Sequence, residues 1–232
     1  MANSLLMATI LNIETSTAVC SVALAIDGKI VNSEESLIPN AHAEKLAVFI
    51  ASIAKHNDLK TLDAIAIGTG PGSYTGLRIG TSTAKGLCYA LNKPLIAVPT
   101  LKAMALSSAA IIRRKDIFYC ALIDARRLEV YTGIYSFEGK EILPVEAKIL
   151  DENSFSDILK TTTMAFVGDG MPKLKKLLPL ENTNCIWLDE VHASAQNMIL
   201  LAEESFAKKE FTDVAYYEPF YLKDFVAGKK VM

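Results

Sequence analysis

The chain has 232 residues, 51% of them hydrophobic and 22% charged, with a formal net charge of −2. Such a composition suits one folded domain or two lobes of about 100 residues each, and it excludes a disordered chain. The charge excludes a free-standing basic nucleic-acid binder, so any RNA role must be shared with a partner.

The first elements read as strands. ATILNIE (8–14) is an apolar run that ends in a polar turn, and VCSVALAI (19–26) alternates. DGK (27–29) is a hairpin turn, and IVNSEESLI (30–38) follows as a third strand. Pro39 and Asn40 open a helix over AHAEKLAVFIASIAKH (41–56). AIAIG (64–68) is a short buried strand, and a glycine-rich loop leads from it into a helix that runs to about Leu91. PLIAV (94–98) is another strand, and Pro99 and Thr100 start the next helix. The order is βββαβαβα.

The second half repeats it: IFYCALID (117–124), EVYTGIYSF (129–137), an EGK turn, EILPVEAKIL (141–150), a helix, MAFVG (164–168), a helix near Lys173, CIWL (185–188) and a long helix over 194–209. Ile13-Glu14 followed by Asp27-Gly28-Lys29 matches Ile123-Asp124 followed by Glu138-Gly139-Lys140, with one extra residue in the second spacing. The halves read as a duplication. The expected fold is α/β, two duplicated RNase H-like lobes of the actin/Hsp70/sugar-kinase architecture, divided as 1–112 and 113–232. In that architecture a nucleotide sits between the lobes.

Four cysteines, Cys20, Cys88, Cys120 and Cys185, form no CxxC pair and have apolar neighbours. They read as small buried hydrophobes in a reducing compartment. The opening MANSLLMATILNIETS has no basic n-region, and its apolar run stops at Asn12 and Glu14. Neither signal peptide nor membrane anchor is expected, which makes the cytoplasm the default location. Met7 is a candidate alternative start. The basic clusters at 113–115, 175–176, 208–209 and 229–230 read as solvated faces.

The loop GTGPGSYTGLRIGTSTAKGL (68–87) is the most distinctive stretch. A strand, then glycines, then a helix start can aim several backbone N–H groups at one anion. Gly70, Gly72, Ser73 and Thr75 are the candidate anion-binding residues. The sequence is neither a P-loop nor the dinucleotide fingerprint, and Pro71 removes a donor. The other reading is a tight turn with Ser73 or Thr75 capping the helix.

Glu14 and Asp124 are the candidate carboxylates of an interlobe site, either orienting a metal-bound water or standing as exposed strand ends. His42, His56 and His192 do not cluster. Fourteen helical residues separate the first two by about 21 Å, so no metal-ligand set is visible. The helix from His42 carries Leu46, Phe49, Ile50 and Ile53 on one face and Ala43, Ala47, Ala51 and Ala54 on a second. Being apolar around most of its circumference, it is either a deep core helix or packed on another chain.

ILNIETST, GTGPGSYTGLRIGTSTAKGL, LIDARRLEVY, FVGDG and YEPFYLKD occur in order from Ile10 to Asp224. Together they resemble the TsaB (YeaZ) family of bacterial tRNA-modification proteins. Lys223 departs from the Arg more usual there. The family is similar to TsaD, the catalytic subunit that transfers a threonylcarbamoyl group to the tRNA adenosine beside the anticodon. TsaD binds a metal through two histidines of a His-Leu-Glu-Gly-His stretch, and this chain has TLKAM there, with Thr100 and Met104 in place of the histidines. A hydroxyl and a thioether cannot replace two imidazoles. TsaD's nucleotide-binding Gly-Gly stretch is VGDGM here, where Asp169 would repel a phosphate.

The resemblance therefore implies a non-catalytic subunit with no cofactor or metal of its own. It would form a heterodimer with TsaD through its first two helices, join the ATPase TsaE, reach tRNA only through the complex, and self-associate as a homodimer when alone. On the first helix His42, Leu46, Ala47, Phe49, Ile50, Ala51 and Ile53 are the expected partner-binding residues, with the large apolar ones as anchors. Two alternatives are an ATPase or phosphotransferase built on Glu14, Asp124 and the loop, and a metal-independent peptidase.

Overall fold

In the computed structural model, which describes residues 8–39, 41–179 and 183–223, strand β1 (Thr9–Glu14) is buried along almost its whole length. A continuous apolar run does this when both of its faces are covered. β1 pairs antiparallel with β2 (Cys20–Ile26) and parallel with β4 (Ala64–Gly68). Asp27 and Gly28, at φ 52° and 70°, turn β2 into β3 (Lys29–Ser36). A tight hairpin needs left-handed backbone at both positions, and Asp-Gly supplies it at low cost. β5 (Leu95–Val98) adds to β4 and completes the order β3-β2-β1-β4-β5. The helices of this half are α1 (His42–Ala54), α2 (Tyr74–Leu91) and α3 (Thr100–Ile112).

The second half is β6 (Phe118–Asp124), β7 (Glu129–Tyr135), β8 (Glu141–Ile149), α4 (Ser156–Leu159), β9 (Met164–Val167), α5 (Met171–Lys175), β10 (Cys185–Leu188) and α6 (Ile199–Lys208). Its sheet order, β8-β7-β6-β9-β10, is that of the first. Both halves are βββαβαβα, the actin/Hsp70/sugar-kinase architecture. Two details differ from expectation. The helix after β8 is one turn of four residues. The last helix starts as a tight 3-10 turn, Ala195–Met198, capped by the Ser194 side chain. Of the residues expected to open α1, Asn40 lies outside the described residues, and Ala41 precedes the helix without a side-chain cap. Met7, the candidate start, also lies outside them, as do Lys229 and Lys230.

Alternation along the strands divides the core. Leu11 and Ile13 face α1 and α2, with Leu46, Ile50, Ile53, Ala84 and Cys88. Ile10, Ala64, Ala66, Ile96 and Val98 face the other way, against α6 residues Leu201 and Ala202 and against Ala103 of α3. On the second sheet Tyr119, Ala121, Ile123 and Val167 meet Leu101, Met104, Ala105 and Ala109 of α3. Its other face, with Leu122, Phe166 and Ile134, meets α4 and α5. The last helix of each half thus crosses to the other half's sheet or lies between the two sheets. The many alanines on these inner faces let the helices approach closely.

Candidate functional site

Glu14, at the end of β1, is 1% exposed. The reading of it as an exposed strand end is therefore corrected, because its carboxylate is held inside the fold. Its Oε2 accepts from the Thr100 hydroxyl at 2.8 Å and its Oε1 from the Ser16 amide at 2.8 Å. The Thr100 hydroxyl in turn accepts from the Gly70 amide at 3.1 Å. Burial raises the proton affinity of this carboxyl, and the hydrogen bonds to it lower it by less. The network ties three places together: the end of β1, the loop after β4 and the first residue of α3.

The turn after β1 lies directly on the glycine-rich loop and on α2. The Ser73 amide donates to the Ser16 carbonyl at 2.6 Å, and the Thr15 hydroxyl donates to the Gly76 carbonyl at 2.9 Å. Gly68, Gly72, Gly76 and Gly80 recur every four residues, and this edge is where Glu14, Thr15 and Ser16 rest. A Cβ on any of them would collide with those three residues. Ser73 is the helix cap, its hydroxyl accepting from the Gly76 amide at 3.2 Å, while Thr75 is exposed. The amides of Gly70, Ser73 and Gly76 are thus committed within the chain. The loop's glycines serve close packing of β1 on α2, and Pro71 closes it through a cis bond to Gly70.

Asp124 ends β6 in the equivalent place and is exposed, as one of the two readings held. It pairs with Lys173 at 2.7 Å. The Asp124 amide donates to Asp169 Oδ1 at 2.9 Å, and burial raises the proton affinity of Asp169. Glu14 and Asp124 share no hydrogen bond, and each is engaged on its own lobe. The segment after α6, which the sequence singled out only as a motif, is a strap across the lobes. Lys85 donates to the Ala215 and Tyr217 carbonyls, and the Phe220 amide donates to the Thr69 carbonyl at 2.9 Å. Tyr221 rests on Tyr74 with ring centroids 5.2 Å apart, and Lys223 pairs with Glu129 of the second lobe.

The histidines are dispersed. His42 is buried with Nε2 3.2 Å from the Val19 carbonyl, and His192 pairs with Glu35. Among the described residues no three His, Cys, Asp or Glu side chains are grouped to hold a metal. Burial pushes the Cys20 and Cys88 thiols up to about 11 and Cys120 up to about 12. These three behave as buried hydrophobes, and Cys185 is half-buried.

The expected partner-binding residues of α1 divide between its two faces, and the large ones expected as anchors point inward. Leu46 (2% exposed), Ile50 and Ile53 belong to the core beneath the first sheet, and His42 is buried too. They cannot anchor a partner, because they already fill this chain's own interior. Phe49 is half-buried against the same core. Ala43, Ala47, Ala51 and Ala54 face outward with Val48, which is 59% exposed. On the adjoining α2, Ser82, Gly86, Tyr89 and Ala90 also face outward, and Tyr89 is 90% exposed.

Comparison with known proteins decides the family. Residues 30–230 match the family model described as "TsaD: tRNA N6-adenosine threonylcarbamoyltransferase". The chain is 33% identical over 232 residues to the tRNA threonylcarbamoyladenosine biosynthesis protein TsaB of Escherichia coli K12, covering 96% of this chain and 97% of that one. This chain belongs to the TsaB family. Among solved structures it is similar to YeaZ from Pseudomonas aeruginosa, with a TM-score of 0.78 at 29% identity, covering 93% of this chain and all of that one. A ROK family protein from Streptococcus pneumoniae, at a TM-score of 0.50 and 9% identity, shares the fold alone.

Thr100 and Met104, which the resemblance sets where TsaD has metal-binding histidines, do not fit a metal. The Thr100 hydroxyl is spent on Glu14 and Gly70, and Met104 is packed in the core against α-carbon Gly168. No helix among the described residues is long and apolar enough to cross a membrane.

Proposed function

We propose that this chain is a non-catalytic subunit of the machinery that makes threonylcarbamoyladenosine in tRNA. It docks the outward face of α1 and α2 onto a protein of the TsaD type. The observation that carries this reading is that face itself. Two adjoining helices present alanines, glycine and serine, with Val48 and a Tyr89 that is 90% exposed. Small residues let helices of two chains come within about 8–10 Å, and an aromatic ring left in water gains most from being covered.

The network at the end of β1 supports the same reading. Glu14, Thr100 and Gly70 satisfy one another where a catalytic relative would place reacting groups. The chain holds no metal or nucleotide of its own. ATP turnover belongs to a TsaE-type ATPase, the metal to the TsaD-type subunit, and tRNA is met in the assembled cytoplasmic complex. Without its partner the same face pairs with a second copy of the chain. The test is sedimentation of the chain mixed with a TsaD-type protein. Wild type co-sediments, and Ala51→Glu abolishes the complex while leaving the melting temperature unchanged. A complex that survives a charge at Ala47 or Ala51 would refute the docking face.

A further inference from the structure

The turn that joins β6 to β7 is the counterpart of the turn that joins β1 to β2, yet the two are treated differently. The first is buried on the glycine edge of α2. The second stands free, with Arg126, Arg127 and Leu128 exposed. Arg126 and Arg127 are consecutive and both left-handed, at φ 73° and 47°. Side chains with a Cβ adopt that region at a cost of about 1–2 kcal/mol each, which glycine or asparagine would lessen. The carboxylates on either side are already neutralised: Asp124 by Lys173, and Glu129 by Lys223. Among the described residues neither guanidinium has an ion pair or a hydrogen bond. Two arginines with no side-chain partner among the described residues are therefore held on a costly turn in a chain of net charge −2.

We propose that Arg126 and Arg127 contact the phosphodiester backbone of an RNA brought to the complex. This rests on the reading above that the chain works in tRNA modification. A guanidinium binds phosphate oxygens with two parallel N–H donors, and such contacts position an RNA without reading its sequence. RNA is favoured over a protein carboxylate by placement. The turn is on the second lobe, whereas α1 and α2, the protein-docking helices, cover the outer face of the first. One lobe holds the protein partner and the other touches RNA.

The experiment titrates tRNA into the complex of the full chain with a TsaD-type protein over a salt series. The variants are R126G/R127G, which fits the left-handed backbone, and R126K/R127K, which keeps the charge. The glycine variant should bind roughly tenfold more weakly. Its plot of log affinity against log salt should be shallower by about two. The lysine variant should keep the wild-type slope. Unchanged affinity and slope in R126G/R127G would overturn the proposal. So would loss of the protein complex itself, which would place the arginines against the partner's carboxylates. If wild type forms no complex, the docking reading fails at that step, and the same titration on the full chain alone decides the arginines.

Discussion

Glu14 shows how one side chain can be both polar and structural. Its carboxyl is desolvated but fully hydrogen-bonded, and burial wins over the bonds in raising its proton affinity above the ordinary 4.5. The folded state therefore holds this proton to higher pH than the unfolded state does. Stability falls as pH climbs from about 4.5 through the raised folded value, and is flat above it. Glu14→Gln removes that pH dependence, because an amide does not titrate, while its oxygen can still accept from the Ser16 amide. In chemical denaturation at pH 5 and pH 8, the stability of E14Q relative to wild type should rise with pH. A relative stability that falls instead would mean the carboxylate is favoured in its charged form. Gly72 gives the second prediction at this scale. Gly72→Ala pushes a methyl into the Ser16 carbonyl and should cost about 1–3 kcal/mol, read from the denaturation midpoint. Gly86→Ala meets nothing within 4 Å and should stabilise by about 0.5–1 kcal/mol. The glycine spacing of four residues was legible in the sequence, but its purpose was not. Nothing in one strand-to-helix loop shows that a distant β-turn will lie on it.

At the scale of the element, α1 was the hardest to read. Its sequence is apolar around most of the helix, so periodicity alone names two candidate core faces. Size settles the choice. Leucine and isoleucine bury more area than alanine, so Leu46, Ile50 and Ile53 go inward and the alanine face is left outside. The two faces should respond oppositely. Leu46→Ala should destabilise by about 2–5 kcal/mol through the cavity it leaves. Ala51→Glu should leave stability within about 0.5 kcal/mol and act only on association. A matched pair of thermal melts and sedimentation runs separates them. The strands were more legible, because buried central strands such as β1 and β6 are continuous apolar runs and the β2–β3 hairpin carries Asp-Gly at its turn. The strap from Ala215 to Lys223 was visible only as a motif, since its bonds, through backbone carbonyls and the Lys223 side chain, reach residues more than 90 positions away.

For the whole molecule, the duplication was readable from the repeated order of elements and from Asp27-Gly28-Lys29 against Glu138-Gly139-Lys140. The crossing of α3 and α6 between sheets was not, because a helix's period says that it has a buried face but not which sheet will cover it. That crossing matters for function. It locks Thr100, at the start of α3, against Glu14 of one lobe while Leu101, Met104, Ala105 and Ala109 of α3 lie on the other. Glu14 is thereby committed to internal bonds, and a cavity of about 500 Å³ between the halves is lined by Gly70, Leu101, Tyr135, Glu141, Val145 and Phe220 instead. Isothermal calorimetry of the chain alone with Mg-ATP at millimolar concentration should show no binding heat. The measurement that bears most directly on the account is reconstitution of threonylcarbamoyl transfer to tRNA from purified components. It is run without this chain, with wild type, and with Ala51→Glu. The account predicts modified adenosine with wild type only. Equal product in the absence of the chain, or with the Ala51→Glu variant, would contradict it.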